Sequence, residues 1–357
     1  MVPYLIFGCT LTNTTGPTES TDIQANNQFA TPQEPISLIE NTTTPENQDH
    51  IKDSCYLDIK ADSLCDIYIQ NMLDTHQRLR PLMGTCKYAR AVRQELPGAP
   101  VGAHCLYGQF THLARALDTM GDTITIIPED ARMACINFKN QMRQKYAHIP
   151  SCIYEGRMHE SDSIYNAALN TYLKSKNITA ATDDSIRAKH TAKFAQNNFS
   201  ADAISPGTIM IVPRHRGSRN TFHAIMFLGR GYIENGDFIP DSTHKHIYAG
   251  HNRENIGDLF RTFDTSNVFV ANTRNIVRTE YQQELSQIKE MSNYDLANYL
   301  SPNNEDCFTY ISRDILLNMA RDKYFNHYSK QLQMAINKIT EGRPHIYTFR
   351  TLNRKIY

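Results

Sequence analysis

The chain of 357 residues is long enough for one large domain or two modest ones, and its 40% hydrophobic share supports a sizeable core, which excludes a wholly disordered protein. Lys plus Arg equals Asp plus Glu at 37 each, so a net charge of +0 provides no global basic field to recruit nucleic acid or anionic lipid. Trp, a common sugar platform, is absent, although 19 Tyr residues could take that part.

In chain order, Val2-Pro3-Tyr4-Leu5-Ile6-Phe7-Gly8-Cys9 is an apolar run ending in Gly-Cys, followed to about Asp49 by Thr, Asn, Gln, Pro and Glu. This has the form of the end of a bacterial lipoprotein signal: a small residue before an acylated cysteine, then a polar tether. It lacks a basic n-region, and its apolar run is short; a start codon placed too far downstream would explain both. The expectation is an exported cell-envelope lipoprotein, anchored to the membrane through lipidated Cys9, with residues 1–50 as signal remnant and disordered tether. No other apolar run is long enough to span a bilayer, so no transmembrane helix is expected.

Structure is expected from about Cys55. Leu64, Ile67, Tyr68 and Met72 fall at helical spacing within Ala61 to Leu82, and Pro81 and Gly84 punctuate the end. Thr85 then reads as the N-cap of a helix that starts at Cys86, carries Ala89, Val92 and Leu96 on one face and stops at Pro97-Gly98. A second helix runs from about Tyr107 to Met120 and ends at Gly121; Thr123 to Ile127 reads as a short strand. Residues 129–204 are polar and helical in pattern and are taken as an insertion. Strands follow at Thr208 to Val212, Thr221 to Leu228, His246 to Gly250 and Asn267 to Asn272, separated by Gly, Asn, Asp and Pro. Beyond Val277 the pattern is helical again, through Leu285 to Leu300 and Phe308 to Ile339.

The eight cysteines contain no C-x-x-C pair and no metal-like spacing, so no structural zinc and no cofactor is expected. In an exported protein Cys55 and Cys65 could close a short disulfide loop; otherwise they are ordinary thiols. Any one free cysteine is more often core than nucleophile. Cys86 differs by its position at a helix start, where unpaired N–H groups and the dipole favour a thiolate. Cys105 is its rival, because Gly102-Ala103-His104-Cys105 also precedes a helix.

His223, among 14 histidines, alternates with Ile225 and Phe227 on a strand, so its ring points to a packed face and needs a partner there. A thiolate would serve, giving a Cys86–His223 pair. A third polar group normally orients the imidazole, and Asn252, at the end of the next strand, is the candidate. Glu234 and Asn235 are rivals, although Asn235-Gly236 is equally a hairpin turn. The oxyanion donors would be the Cys86 N–H and a second group, for which Gln77 is the nearest upstream amide.

Gly84-Thr85-Cys86-Lys87-Tyr88-Ala89-Arg90, Val101-Gly102-Ala103-His104, Pro206-Gly207-Thr208-Ile209-Met210-Ile211, His223-Ala224-Ile225 and Gly250-His251-Asn252 resemble, in order and spacing, the CHAP amidases and related NlpC-type peptidases. The resemblance runs from about Gly84 to Asn272, excluding the insertion. Lys87-Tyr88 stands where that family usually has Trp, and Gly250 where many members carry Glu. It implies an α+β fold with a papain-like core of N-terminal helices on an antiparallel sheet, a helical insertion and a helical C-terminal extension. The catalytic domain would be 51–275 and the extension 276–357. It further implies Cys86 as nucleophile, His223 as base and Asn252 as orienting residue in a thiol-dependent amide hydrolase that acts on peptidoglycan peptides through an acyl-enzyme. Alternative expectations are a cysteine protease or effector with a protein substrate, and a catalytically inactive lipoprotein that binds a partner.

Overall fold

A computed structural model describes residues 45–83, 85–95, 104–124, 135–149, 151–213, 222–251, 256–300 and 312–325. Internal contacts separate Met1–Pro45 from Glu46–Tyr357, and the fold is that of the second unit. Cys9 and most of the expected tether lie outside the described residues, as does Asn252.

The chain opens with α1 (Pro45–Leu79), whose Leu57, Ala61, Leu64, Tyr68 and Met72 recur every three or four residues and are buried as one stripe. Pro81 falls in a 3-10 turn, Arg80–Leu82, that ends the long helix. Next come α2 (Cys86–Glu95), α3 (His104–Met120) and α4 (Cys135–Tyr146). Residues 122–124 are not strand, and the rest of the short strand expected at Thr123 to Ile127 lies outside the described residues.

The segment taken as a helical insertion contains helices α5 (Asp162–Ser175) and α6 (Asp184–Ala195), capped by the Ser161 and Asp183 side chains. It also contains β1 (Ile153–His159) and β2 (Asn198–Ser200), and both belong to the main sheet. The described part of this segment therefore supplies two strands to the sheet and is not a purely helical addition. Then follow β3 (Thr208–Pro213), β4 (Phe222–Glu234), β5 (Asp237–Pro240), β6 (Lys245–Ala249), β7 (Ile256–Asp258), the short helix α7 (Leu259–Thr262) and β8 (Val268–Ala271). Last are α8 (Thr273–Glu290), α9 (Asn293–Leu300) and α10 (Arg313–Tyr324).

The eight strands form one open sheet in the order β2-β1-β8-β3-β4-β6-β7, with β5 paired to β4. It is mixed, because β1 and β2 run parallel while the other pairs are antiparallel; the wholly antiparallel sheet expected from sequence is corrected accordingly. Alternation along each strand divides the interior into two cores. Ile209, Ile211, Ala224, Met226, Ile247 and Phe269 face α1, α3, α4 and α8; Met210, Val212, Ile225, Phe227, Tyr248 and Val270 face the other way, onto Phe199, Leu259 and Phe263. Each large side chain so buried contributes about 1.5–3 kcal/mol.

The C-terminal helices divide unevenly. Ile276, Val277, Tyr281 and Leu285 of α8 lie in the first core, so residue 276 falls inside a helix integral to the main body. Its far end, with α9 and α10, forms a smaller core around Leu296, Leu300, Leu316 and Met319. Lys289 and Arg321 both pair with buried Asp53 of α1, at 3.0 and 2.5 Å, which joins this smaller core to the long helix.

Strand β4 is bent. His76 of α1 stacks on His251, just beyond β6, while the adjacent Gln77 donates to Asp237 Oδ1 at 2.7 Å on the far hairpin. The register shift between Phe227 and Gly229, with Gly229 at φ 93°, supplies the bend. The hairpin itself turns through Asn235 (φ 52°) and Gly236 (φ 93°), the pair of left-handed residues that a two-residue hairpin requires.

Candidate active site

Helices α2 and α3 carry the two rival cysteines in their first turns, and of these two helices α3 is the one that packs on the histidine strand. Helix α2 places Val92, Tyr88 and Ala91 in a small peripheral cluster with Leu79 and Tyr107. Helix α3 sends Leu106, Phe110, Leu113 and Ala116 into the first core, alongside Ala224 and Met226 of β4. Cys86 is the first residue of α2, as expected, and its side chain lies outside the described residues. Cys105, the second residue of α3, is half-buried and reaches the start of β4.

There the Cys105 thiol comes under the influence of three neighbours: the thiol of Cys135, the ring of His223 and the backbone N–H of Ala224. The Cys135 hydrogen bond is the largest influence on the thiol, followed by burial, which opposes it, and then by the hydrogen bond and charge of His223. Together they hold Cys105 well below the ordinary thiol range. Cys135 moves the opposite way, pushed up first because its proton is held between the two sulfurs and then by burial. A thiol with a lowered pKa in the opening turn of a helix, beside an imidazole, has the surroundings that a nucleophile and its base require. The rival cysteine of the sequence is thus the one that the described residues bring to His223.

His223 is 3% exposed and shares its sheet face with Ile225 and Phe227, as its alternation predicted. Phe263 lies beside the ring at 5.9 Å between centroids. A Cβ built on Gly250 would sit 3.2 Å from His223 Nε2, so the chain beyond β6 passes close to that nitrogen because the residue is glycine. The Nε2 side of the ring is therefore turned toward the segment that leads to Asn252, which lies outside the described residues.

The rival orienting groups sit elsewhere. Glu234 is exposed and pairs with Asp237 beside the hairpin, at the opposite end of β4 from His223, and Asn235 is occupied as a turn residue. Gln77 is bound to that same hairpin and offers no oxyanion donor at the Cys105 end. The backbone N–H groups of the first turn of α3, that of Cys105 included, lack partners within the helix and are the donors the fold supplies there.

Behind the site is a group of histidines that the sequence did not single out. His112 and His251 approach Nε2 to Nε2 at 2.9 Å, and His76 and His112 both stack against the His251 ring. A Cβ on Gly108 would lie 2.2 Å from His251 Cδ2, so this glycine lets the ring lie directly on α3, one turn after Cys105. Burial lowers His76 to about 4, and burial with the charge of Arg115 lowers His112 to about 3. His246 is also buried: its Nε2 meets Asp202 at 2.8 Å, and Arg230 donates to the same carboxylate at 2.7 and 3.0 Å. That node ties β4 and β6 to the turn after β2 and has no contact with Cys105.

Among the described residues, no group of three or more His, Cys, Asp or Glu could hold a metal ion, and no helix is long and apolar enough to cross a membrane. No family model matches the chain, and neither a curated protein nor a solved structure matches it.

Proposed function

We propose that the protein is a thiol-dependent amide or peptide-bond hydrolase in which Cys105 is the nucleophile and His223 the base. The observation that carries this reading is the position of Cys105 in the first turn of α3 beside the His223 ring, which helps to hold its thiol below the ordinary range. In the reaction, Cys105 Sγ attacks the substrate carbonyl carbon, and the developing oxyanion is met by free N–H groups of the first helical turn. His223 gives its proton to the departing amine; it then takes one from water, whose hydroxide hydrolyses the thioester and returns Cys105.

The likeness of the His223-Ala224-Ile225 and Gly250-His251-Asn252 segments to CHAP and NlpC-type enzymes supports a cell-wall peptide as substrate and Asn252 as the group that orients the ring. Gly8-Cys9 and the polar stretch after it support a cell-envelope location with Cys9 acylated. Digestion of purified peptidoglycan by the full chain, with release of new amino termini, tests the activity. Loss of that release in Cys105→Ala and its retention in Cys86→Ala is the expected outcome; the reverse assigns the chemistry to Cys86. Turnover of a protein substrate but not of peptidoglycan would replace the substrate class and leave the dyad standing.

A further inference from the structure

The nucleophile of the proposed reaction has a second sulfur beside it, and that sulfur has no part in amide hydrolysis. Cys105 and Cys135 are near neighbours, each thiol being the largest influence on the other, and both border the same core. They come from different helices, Cys105 from the first turn of α3 and Cys135 from the first residue of α4. Packing fixes their approach: Phe110 of α3 meets Phe138 of α4 edge-on at 5.4 Å, and both cysteines border the same core. Lys139, one turn into α4, lies 4.3 Å over the ring of Phe222, next to His223, so α3, α4 and the start of β4 converge on one point.

We propose that Cys105 and Cys135 are a peroxide-responsive pair, closing into a disulfide that takes the nucleophile out of service and reopening when a thiol reductant is supplied. Three features fit them for this and set them apart. Both are half-buried, so a small oxidant can reach them, whereas Cys65 and Cys152 are buried. Cys65 is also pushed up to about 12 by burial and nearby carboxylates, and Cys152 rests against the Thr279 hydroxyl at 3.6 Å. Cys55, though exposed, is on α1, away from the point where α3, α4 and β4 meet.

The electron balance requires a hydroperoxide, here hydrogen peroxide. The Cys105 thiolate attacks one peroxide oxygen; the O–O bond breaks, hydroxide leaves, and Cys105 becomes a sulfenic acid. The Cys135 sulfur then attacks Cys105 Sγ, the S–O bond breaks, and the departing hydroxide takes up the Cys135 proton as water. The thiolate and the thiol together lose two electrons, and one peroxide becomes one hydroxide and one water. While Cys105 is a thiolate, its charge holds the proton on Cys135, so the second sulfur stays inert. Oxidation of Cys105 removes that charge and frees Cys135 to resolve the sulfenic acid before further oxidation. The pairing itself stands on the geometry of α3 and α4; only its effect on hydrolysis rests on Cys105 as nucleophile.

The test uses the reduced full chain, treated with an equimolar amount of hydrogen peroxide, blocked with N-ethylmaleimide and mapped by peptide mass spectrometry. The expected result is a Cys105–Cys135 linked peptide, with iodoacetamide labelling of Cys105 lost after peroxide and restored by dithiothreitol. Cys135→Ser, checked for its fold by circular dichroism, should instead carry Cys105 on to sulfinic acid, which dithiothreitol does not reverse. Sulfinic acid at Cys105 in the unsubstituted protein, or a disulfide to another cysteine, overturns the proposal. If the linked peptide forms but Cys105→Ala still hydrolyses substrate, the redox pair stands and the hydrolase assignment fails. If Cys105→Ala is inactive but no linked peptide forms, the assignment stands and the redox pair fails.

Discussion

Helices α2 and α3 make an internal control for what the surroundings of a helix start do to a cysteine. Each carries one in its first turn, Cys86 or Cys105, and each offers the same unpaired N–H groups and positive dipole end. A helix terminus alone is worth about 0.3–1 kcal/mol to a nearby anion, less than one pKa unit. The difference lies in what the helices pack against. Helix α2 rests on Leu79 and Tyr107, at the periphery, while α3 lies along β4 and delivers its cysteine to an imidazole, a backbone N–H and a second thiol. Tertiary neighbours, rather than the local motif, separate the two.

The largest expected effect breaks the comparison at its chemical end. Cys105→Ala should lower amide hydrolysis by about 10³-fold or more, as removal of a nucleophile does, while Cys86→Ala should change it by less than about twofold. Initial rates on a peptidoglycan digest, or on a soluble peptide derived from it, decide between them.

Removing the base sharpens the same contrast. In His223→Ala, Cys105 loses a ring donor and its charge, so its thiol should rise toward the ordinary value of 9.0 and its alkylation at pH 6 should slow by about 10- to 100-fold. The rate at Cys86 should be unaffected. Equal slowing at both cysteines would mean that the substitution had disturbed the whole N-terminal half.

The histidine cluster behind α3 gives a pH signature that α2 does not share. His76 and His112 are lowered to about 4 and about 3 in the folded protein, from 6.5 when exposed. Both bind protons more readily unfolded, so stability is intact above pH 6.5 and falls as the pH drops below it, until the folded-state values are reached. Each should cost about 2 kcal/mol of unfolding free energy at pH 5 relative to pH 7. Urea titrations at the two pH values check this, and His76→Gln should remove about half of the difference. A loss of the same size in that variant would place the acid sensitivity in other groups.

Smaller effects are expected at the two glycines that admit imidazole rings. Gly108→Ala puts a Cβ at 2.2 Å from the His251 ring and should destabilise the protein by about 1–3 kcal/mol in thermal or urea unfolding. Gly250→Ala, with its Cβ 3.2 Å from His223 Nε2, requires a shift of only tenths of an ångström; it should leave stability within about 0.5 kcal/mol and lower kcat by a few-fold.

Much of the α/β layout is legible in the sequence because it depends on local periodicity. The stripe on α1, the capped helices α5 and α6, the alternation of β3 and β4 and the burial of His223 all follow from residues a few positions apart. What is not legible depends on long-range pairing. Ile153-Tyr154-Glu155-Gly156-Arg157 is too polar to read as a sheet strand, and it becomes one because Val268 to Ala271 pairs with it from more than a hundred residues downstream. The rivalry of Cys86 and Cys105 is of that kind: the sequence favours Cys86 for its helix start, while it is the packing of α3 on β4 that brings Cys105 beside His223. His112 and His251 likewise become a pair only when the chain beyond β6 reaches the Gly108 face of α3.

The central claim, that β4 activates Cys105 and not Cys86, is tested most directly by the pH dependence of iodoacetamide labelling read cysteine by cysteine in the native, reduced full chain. Cys105 should react already near pH 5 to 6 on a plateau that extends upward, with Cys86 following only as the pH approaches the ordinary thiol range. Labelling of Cys86 ahead of Cys105, or a Cys105 profile that rises only near pH 8 to 9, would contradict the assignment.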